Sequence, residues 1–212
     1  MERNLSHWHN HRLLVCSKDN RASIAGFLDD YAFTIEAFLQ LYQVTGHTEW
    51  LEKATALTDH ALTDFFDETS GMFFFTPESH DLIARKMELN DNVTPASNGV
   101  MAHNLLTLSL LLEREDWSKT AHQQLQNMLD GMEHYGSGYS NWALLLQRFL
   151  RPRYSVKVQG SVDESVKQDL LKLMSPQVVL YYDSSGENGF VVCGDGMCWP
   201  KVNTVSEAYS SL

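Results

Sequence analysis

Apolar stretches at helical spacing recur along the first two thirds of the chain, and the first of them sets the pattern. In residues 28–44 nearly every position is apolar or aromatic apart from Asp29, Asp30, Thr34, Glu36, Gln40 and Gln43, and Gly46 stands where a helix would stop. A helix this apolar is enclosed by others. At 3.6 residues per turn Asp29, Phe33, Glu36, Gln40 and Gln43 share one face, whereas Asp30 falls with Thr34, Ala37 and Leu41 on a face that otherwise reads as buried. Residues 48–66 predict a second helix with Thr48 as N-cap, and the short break makes the two an antiparallel hairpin. The pattern repeats in residues 96–113, opened by Thr94 and Pro95, and in 116–133. After a glycine-containing stretch, residues 142–150 predict a further helix without a mate, with Trp142 in the core. Short β-hairpins, residues 12–16 with 21–24 and 71–77 with 81–85, lead into the first and third helices.

Near Arg151 the period changes. Residues 154–158 alternate like a strand, 163–174 are amphipathic with Val166, Leu170 and Leu173 on one face, and 177–182 are again strand-like, which predicts a parallel, right-handed βαβ unit followed by a last strand at 190–193. The expected division is residues 1–150, helical, and 151–212, a small βαβ-type module.

Charge narrows the partners. With 16 Lys and Arg against 27 Asp and Glu, the net charge of -11 leaves no basic cluster to displace phosphate counterions, so no nucleic acid is expected. No apolar run approaches the roughly 20 residues that span a bilayer, so no membrane is expected either. The polar start of the chain does not resemble a signal peptide, and three cysteines, an odd number, fit a reducing compartment, so the expected location is cytoplasmic. His7, His9 and His11 alternate without Cys or Asp at ligand spacing; neither a metal nor a cofactor is expected.

Asp29 and Asp30 are the first candidates for chemistry. Carboxylates in a first helical turn are favoured by the free N–H groups and the macrodipole, which is the purely structural reading. Side by side they also raise one another's pKa, which suits acid or base work in a cavity. Neighbours on a helix point roughly 100° apart, so one of the two is expected to bind and the other to cap.

Three motifs in order, Gly26-Phe27-Leu28-Asp29-Asp30-Tyr31-Ala32-Phe33, Thr94-Pro95-Ala96-Ser97-Asn98-Gly99-Val100 and Cys193-x-x-x-x-Cys198-x-Pro200, resemble the C-terminal part of the thioredoxin-domain-containing, spermatogenesis-associated protein family. The resemblance implies an α/α barrel of the six-hairpin glycosidase and N-acylglucosamine 2-epimerase kind, here without the thioredoxin-like domain and the first half of the barrel. The expected fold is therefore mainly α, a partial α/α toroid with short β-hairpins and a small C-terminal α/β module. Half a toroid would expose the apolar sides of its inner helices, so a barrel-completing partner chain or self-association is expected.

In such a barrel Asp30 and Tyr31, Ser97 and Asn98, and Tyr139 and Asn141 would stand at the mouths of inner helices facing one cavity. The expected function is carbohydrate-active or sugar-binding, epimerase, isomerase or glycosidase-like if catalytic, with Asp30 and Asp29 as the catalytic candidates and Tyr31, Ser97, Asn98, Tyr139 and Asn141 as substrate contacts. For Ser97 and Asn98 the competing reading is capping with close backbone packing at Gly99, and His103 reads as a satisfied helix residue. Glu88 and Asp91 are the nearest choices for a second carboxylate. The alternative function is a non-catalytic module that docks to a thioredoxin-like partner. Cys193 and Cys198, with four residues between them in a tight turn, allow a reversible disulfide, without the spacing of a redox motif or a zinc site.

Overall fold

The first apolar stretch folds as α1 (Leu28–Thr45), and Gly46 ends it in the left-handed conformation at φ 71°, its N–H donating to the Tyr42 carbonyl. A Cβ at Gly46 would lie 2.9 Å from the ring of Tyr182, so the position needs glycine for its backbone and for its packing. α2 (Thr48–Asp64) returns against α1, with His47 rather than Thr48 at the cap position. α3 (Ser97–Leu112) and α4 (Glu115–His134) form the second pair, and a 3-10 turn at Gly136–Tyr139 leads into α5 (Ser140–Leu150). α1 packs beside α3 and α3 beside α5, so the odd-numbered helices make one layer. Their shared core includes Leu28, Ile35, Leu105, Leu108, Trp142 and Leu145, all fully buried.

The computed structural model describes residues 8–9, 12–18, 21–78, 84–194 and 196–212. Ahead of α1, β1 (Trp8–His9), β2 (Arg12–Lys18) and β3 (Arg21–Ala25) form an antiparallel sheet. His7 and His11 of the histidine-rich start lie outside the described residues. β4 (Phe66–Asp67) pairs with β5 (Met72–Phe73). The expected partner at 81–85 is not the one that Met72 and Phe73 take, and its residues 81–83 lie outside the described ones. The reversal comes earlier because the Asp67 carboxylate accepts from the backbone and hydroxyl of Ser70, closing a tight turn.

The C-terminal residues build a four-stranded sheet from β6 (Tyr154–Gln159), β7 (Val178–Asp183), β8 (Gly189–Gly194) and β9 (Met197–Cys198), in the order β7-β6-β8-β9. β6 and β7 are parallel across α6 (Glu164–Leu171), whose N-cap Asp163 accepts from Val166 N–H; β8 is antiparallel to β6. α7 (Val205–Tyr209) completes the chain, and Val156, Val158, Leu170, Leu180, Phe190 and Val192 form the core of this part. Cys193 and Cys198 face each other across β8 and β9 and are joined as a disulfide.

β7 belongs to both cores. Strand side chains alternate, so Val178 and Leu180 enter the sheet's own core while Val179 and Tyr181 pack on the helices. Its outer edge is closed by α1: the Gln43 amide donates to Leu180 O at 2.8 Å and accepts from Leu180 N at 2.6 Å, as a neighbouring strand would. Tyr182 N–H donates to Tyr42 Oη and Tyr182 Oη donates to Gln43 O, both at 2.9 Å. β7 thus packs against both α1 and α3. The fold is mainly helical with short strand sheets.

Candidate functional site

The mouths of α1, α3 and α5 are organised by carboxylates. At α1 the Asp30 carboxylate reaches back to Phe27 N–H at 2.9 Å, so Asp30 closes the first turn, and Asp29 Oδ1 accepts from Asp30 N–H. Asp29 is half-buried; burial, then the neighbouring Asp30 and Glu88 charges, raises its pKa. Tyr31, 2% exposed, packs its ring at a tilt of 57° against Phe65, and its Oη accepts from Leu13 N–H. At α3, Glu88 accepts from Ser97 N–H and Asp91 from Ala96 N–H. The same Asp91 accepts from Asn141 N–H at 2.7 Å and thereby joins the mouths of α3 and α5. Asp30, Glu88 and Asp91 are spent on backbone donors.

Asn98 is fully buried and its amide is committed: Oδ1 accepts from Phe73 N–H at 2.8 Å, and Nδ2 donates to Phe73 O and Glu88 O at 2.9 and 3.0 Å. Ser97 is also fully buried, its hydroxyl without a partner. Tyr139 lies over Gly131, where a Cβ would meet its ring at 2.6 Å. These residues stand at neighbouring mouths, but of the seven expected site residues only Asn141 lines the cavity beside α1, α3 and α5.

That cavity, about 460 Å³, lies deeper, between the layer of α1, α3 and α5 and the segment that leads into β7. Its polar wall is made by Glu36 and Gln40 of α1, His103 and Thr107 of α3, and Asn141 and Arg148 of α5; Leu39, Val100 and Val179 supply apolar surface. The helical period produces this. Glu36, Gln40 and Gln43 are the polar stripe of α1, His103 and Thr107 are four apart, and Asn141 and Arg148 are seven apart, so each set shares one face.

Arg148 is 6% exposed. Its guanidinium donates to His103 Nδ1 at 3.2 Å, to His103 O at 3.3 Å and to Thr107 Oγ1 at 3.0 Å, whereas Nε has no partner. Because Nδ1 accepts from Arg148, the His103 proton sits on Nε2, which donates to Asn141 O at 3.0 Å. His103 is thus neutral and engaged at both nitrogens; burial, then the Arg148 charge, pushes its pKa down to about 4. Burial and the neighbouring Arg153 lower Arg148 to about 10, so it stays a cation at neutral pH. Glu36 stands at the rim, where desolvation raises its pKa. The Asn141 Nδ2 amide has no partner, and it approaches α3 at Gly99, where a Cβ would lie 2.7 Å away.

No family model matches the chain. Over 94 residues it is 38% identical to spermatogenesis-associated protein 20 of Rattus norvegicus, a match covering 43% of this chain and 12% of that protein. The chain is homologous to spermatogenesis-associated protein 20 over that stretch. The Homo sapiens protein of the same name is 36% identical over 94 residues, and an uncharacterized protein of Caenorhabditis elegans is 30% identical over 126 residues, 59% of this chain and 17% of its own length. The homologous stretch is thus a small part of spermatogenesis-associated protein 20.

Among the described residues no group of His, Cys, Asp and Glu is placed to hold a metal ion, and no helix is long and apolar enough to cross a membrane. The residue that the sequence reading passed over is Arg148. A single arginine on the face of Asn141, within a mostly apolar helix, was the available signal.

Proposed function

We propose that the chain binds a polyhydroxylated, sugar-like small molecule in the cavity between α1, α3, α5 and the segment before β7. The observation that carries this reading is a half-open pocket of about 460 Å³ lined by Glu36, Asn141 and Arg148, the last two each with a donor, Nδ2 and Nε, that finds no partner within the fold. The volume falls within the roughly 300–1,000 Å³ of small-molecule sites. Sugar hydroxyls need acceptors and donors together, and their carbon faces need apolar walls such as Leu39, Val100 and Val179.

The reading stops at binding. Hydrolysis of a glycosidic bond uses two carboxylates about 5–9.5 Å apart, and Glu36 is the one carboxylate lining this cavity among the described residues. His103, with both ring nitrogens engaged, has no lone pair to take a substrate proton.

The test is thermal unfolding with and without a panel of mono- and disaccharides, since a ligand stabilises the state that binds it. A sugar is expected to raise the midpoint, and Glu36→Gln to weaken that sugar about tenfold or more. A panel that leaves the midpoint unmoved overturns the reading. A docking role for α5 is favoured by one observation, the exposure of Leu144 and Leu150 at 55% and 75%. Light scattering of the purified chain tests self-association through that face; a monomer at all concentrations removes it.

A further inference from the structure

We propose that the Arg148 end of the cavity is a subsite for an anionic group, a carboxylate or phosphate on the small molecule; this rests on reading the cavity as a ligand site. A cation removed from water is held by an opposite charge or by complete hydrogen bonding, and Arg148 has neither. Among the described residues no carboxylate lies within 4.0 Å of it, and the side-chain and backbone acceptors that it meets, on His103 and Thr107, are all neutral. These contacts occupy at most three of the five guanidinium N–H donors, and Nε is without a partner.

The surroundings add positive charge. Arg153 donates to the carbonyl oxygen of Arg148 at 3.1 Å, which brings a second guanidinium to the end of α5. Glu36 lines the same cavity but makes no ion pair with Arg148 within 4.0 Å. Asn141 Nδ2, a second donor without a partner, lies on the same face of α5 and lines the same cavity. A buried guanidinium that is charged at neutral pH, lacks a counter-charge and lines the cavity beside Asn141 favours oxygen atoms that carry negative charge. In a chain of net charge -11 this local positive spot discriminates by contact.

The decisive comparison uses the wild-type chain. Affinities are measured by titration calorimetry for glucuronate against its neutral isostere glucuronamide, for glucose 6-phosphate against glucose, and for inorganic phosphate alone. At least one anionic sugar is expected to bind about tenfold or more tighter than its neutral counterpart; the two pairs separate carboxylate from phosphate. Arg148→Gln is expected to abolish that preference, lowering the affinity of the anionic sugar about tenfold or more further than that of its neutral counterpart, and Arg148→Lys to keep part of it. Should Arg148→Gln fail to fold, the wild-type pairs and Arg148→Lys still decide. Neutral sugars binding as tightly as anionic ones overturns the subsite and leaves the cavity reading standing. Binding of neither class overturns both, and phosphate binding unchanged in Arg148→Lys and Arg148→Gln overturns the assignment to Arg148.

Discussion

Replacing Asn98 by alanine separates its two readings. The side chain is fully buried and makes three hydrogen bonds, to both backbone groups of Phe73 and to the carbonyl of Glu88, so it ties β5 and the segment before α3 to the first turn of α3. Each bond contributes about 1 kcal/mol net, and a buried backbone group left unpaired costs about 1–3 kcal/mol. Where water enters to satisfy some of these groups, the expected loss is about 3–5 kcal/mol. For a chain of 212 residues that corresponds to a fall in midpoint of roughly 6–20 °C. Asn98→Asp is expected to cost no less, because a carboxylate would face two carbonyl oxygens out of water. The assay is urea and thermal unfolding followed by circular dichroism. A loss below about 1 kcal/mol in both variants would refute the bracing role and return Asn98 to the list of ligand contacts.

Gln43→Ala removes both bonds to Leu180 and uncovers the edge of β7; a loss of about 2–4 kcal/mol is expected in urea unfolding, with faster amide exchange at Leu180. His103 has a folded pKa of about 4 against an ordinary 6.5, so its contribution is complete above pH 6.5 and is lost as the pH falls through that range towards 4. The difference amounts to about 3 kcal/mol, and His103→Gln should flatten this limb of the stability profile; an unchanged slope would contradict the burial of a neutral imidazole. Tyr42 and Tyr182 are both pushed up to about 12, chiefly by burial. Both should ionise well above the ordinary tyrosine range in an absorbance titration, and their stabilising contribution, complete below pH 10, should disappear as the pH rises from 10 towards 12. Ordinary titration of both would mean that the seam between α1 and β7 is open to water.

Residue order alone carried the periodic features. Helical spacing placed α1 to α5, the change to period two near Arg151 announced the strands of the second part, and Gly46 marked the end of α1. The polar stripe Glu36, Gln40 and Gln43 was visible as one face of a helix before any partner was known. These are local properties, set by the geometry of a helix or strand and by which side chains tolerate burial. The destination of each polar group was decided by tertiary packing. Asp30, Asn98 and Asp91 looked like residues facing a ligand because their positions at helix mouths are the same whether they face a cavity or cap a turn. Backbone donors from Phe27, Phe73, Ala96 and Asn141, brought close by the fold, claim them. Arg148 shows the converse. Its type and position were plain in the sequence, but that its Nε lacks a partner follows only from summing every donor and acceptor around it after the helices and β7 have packed.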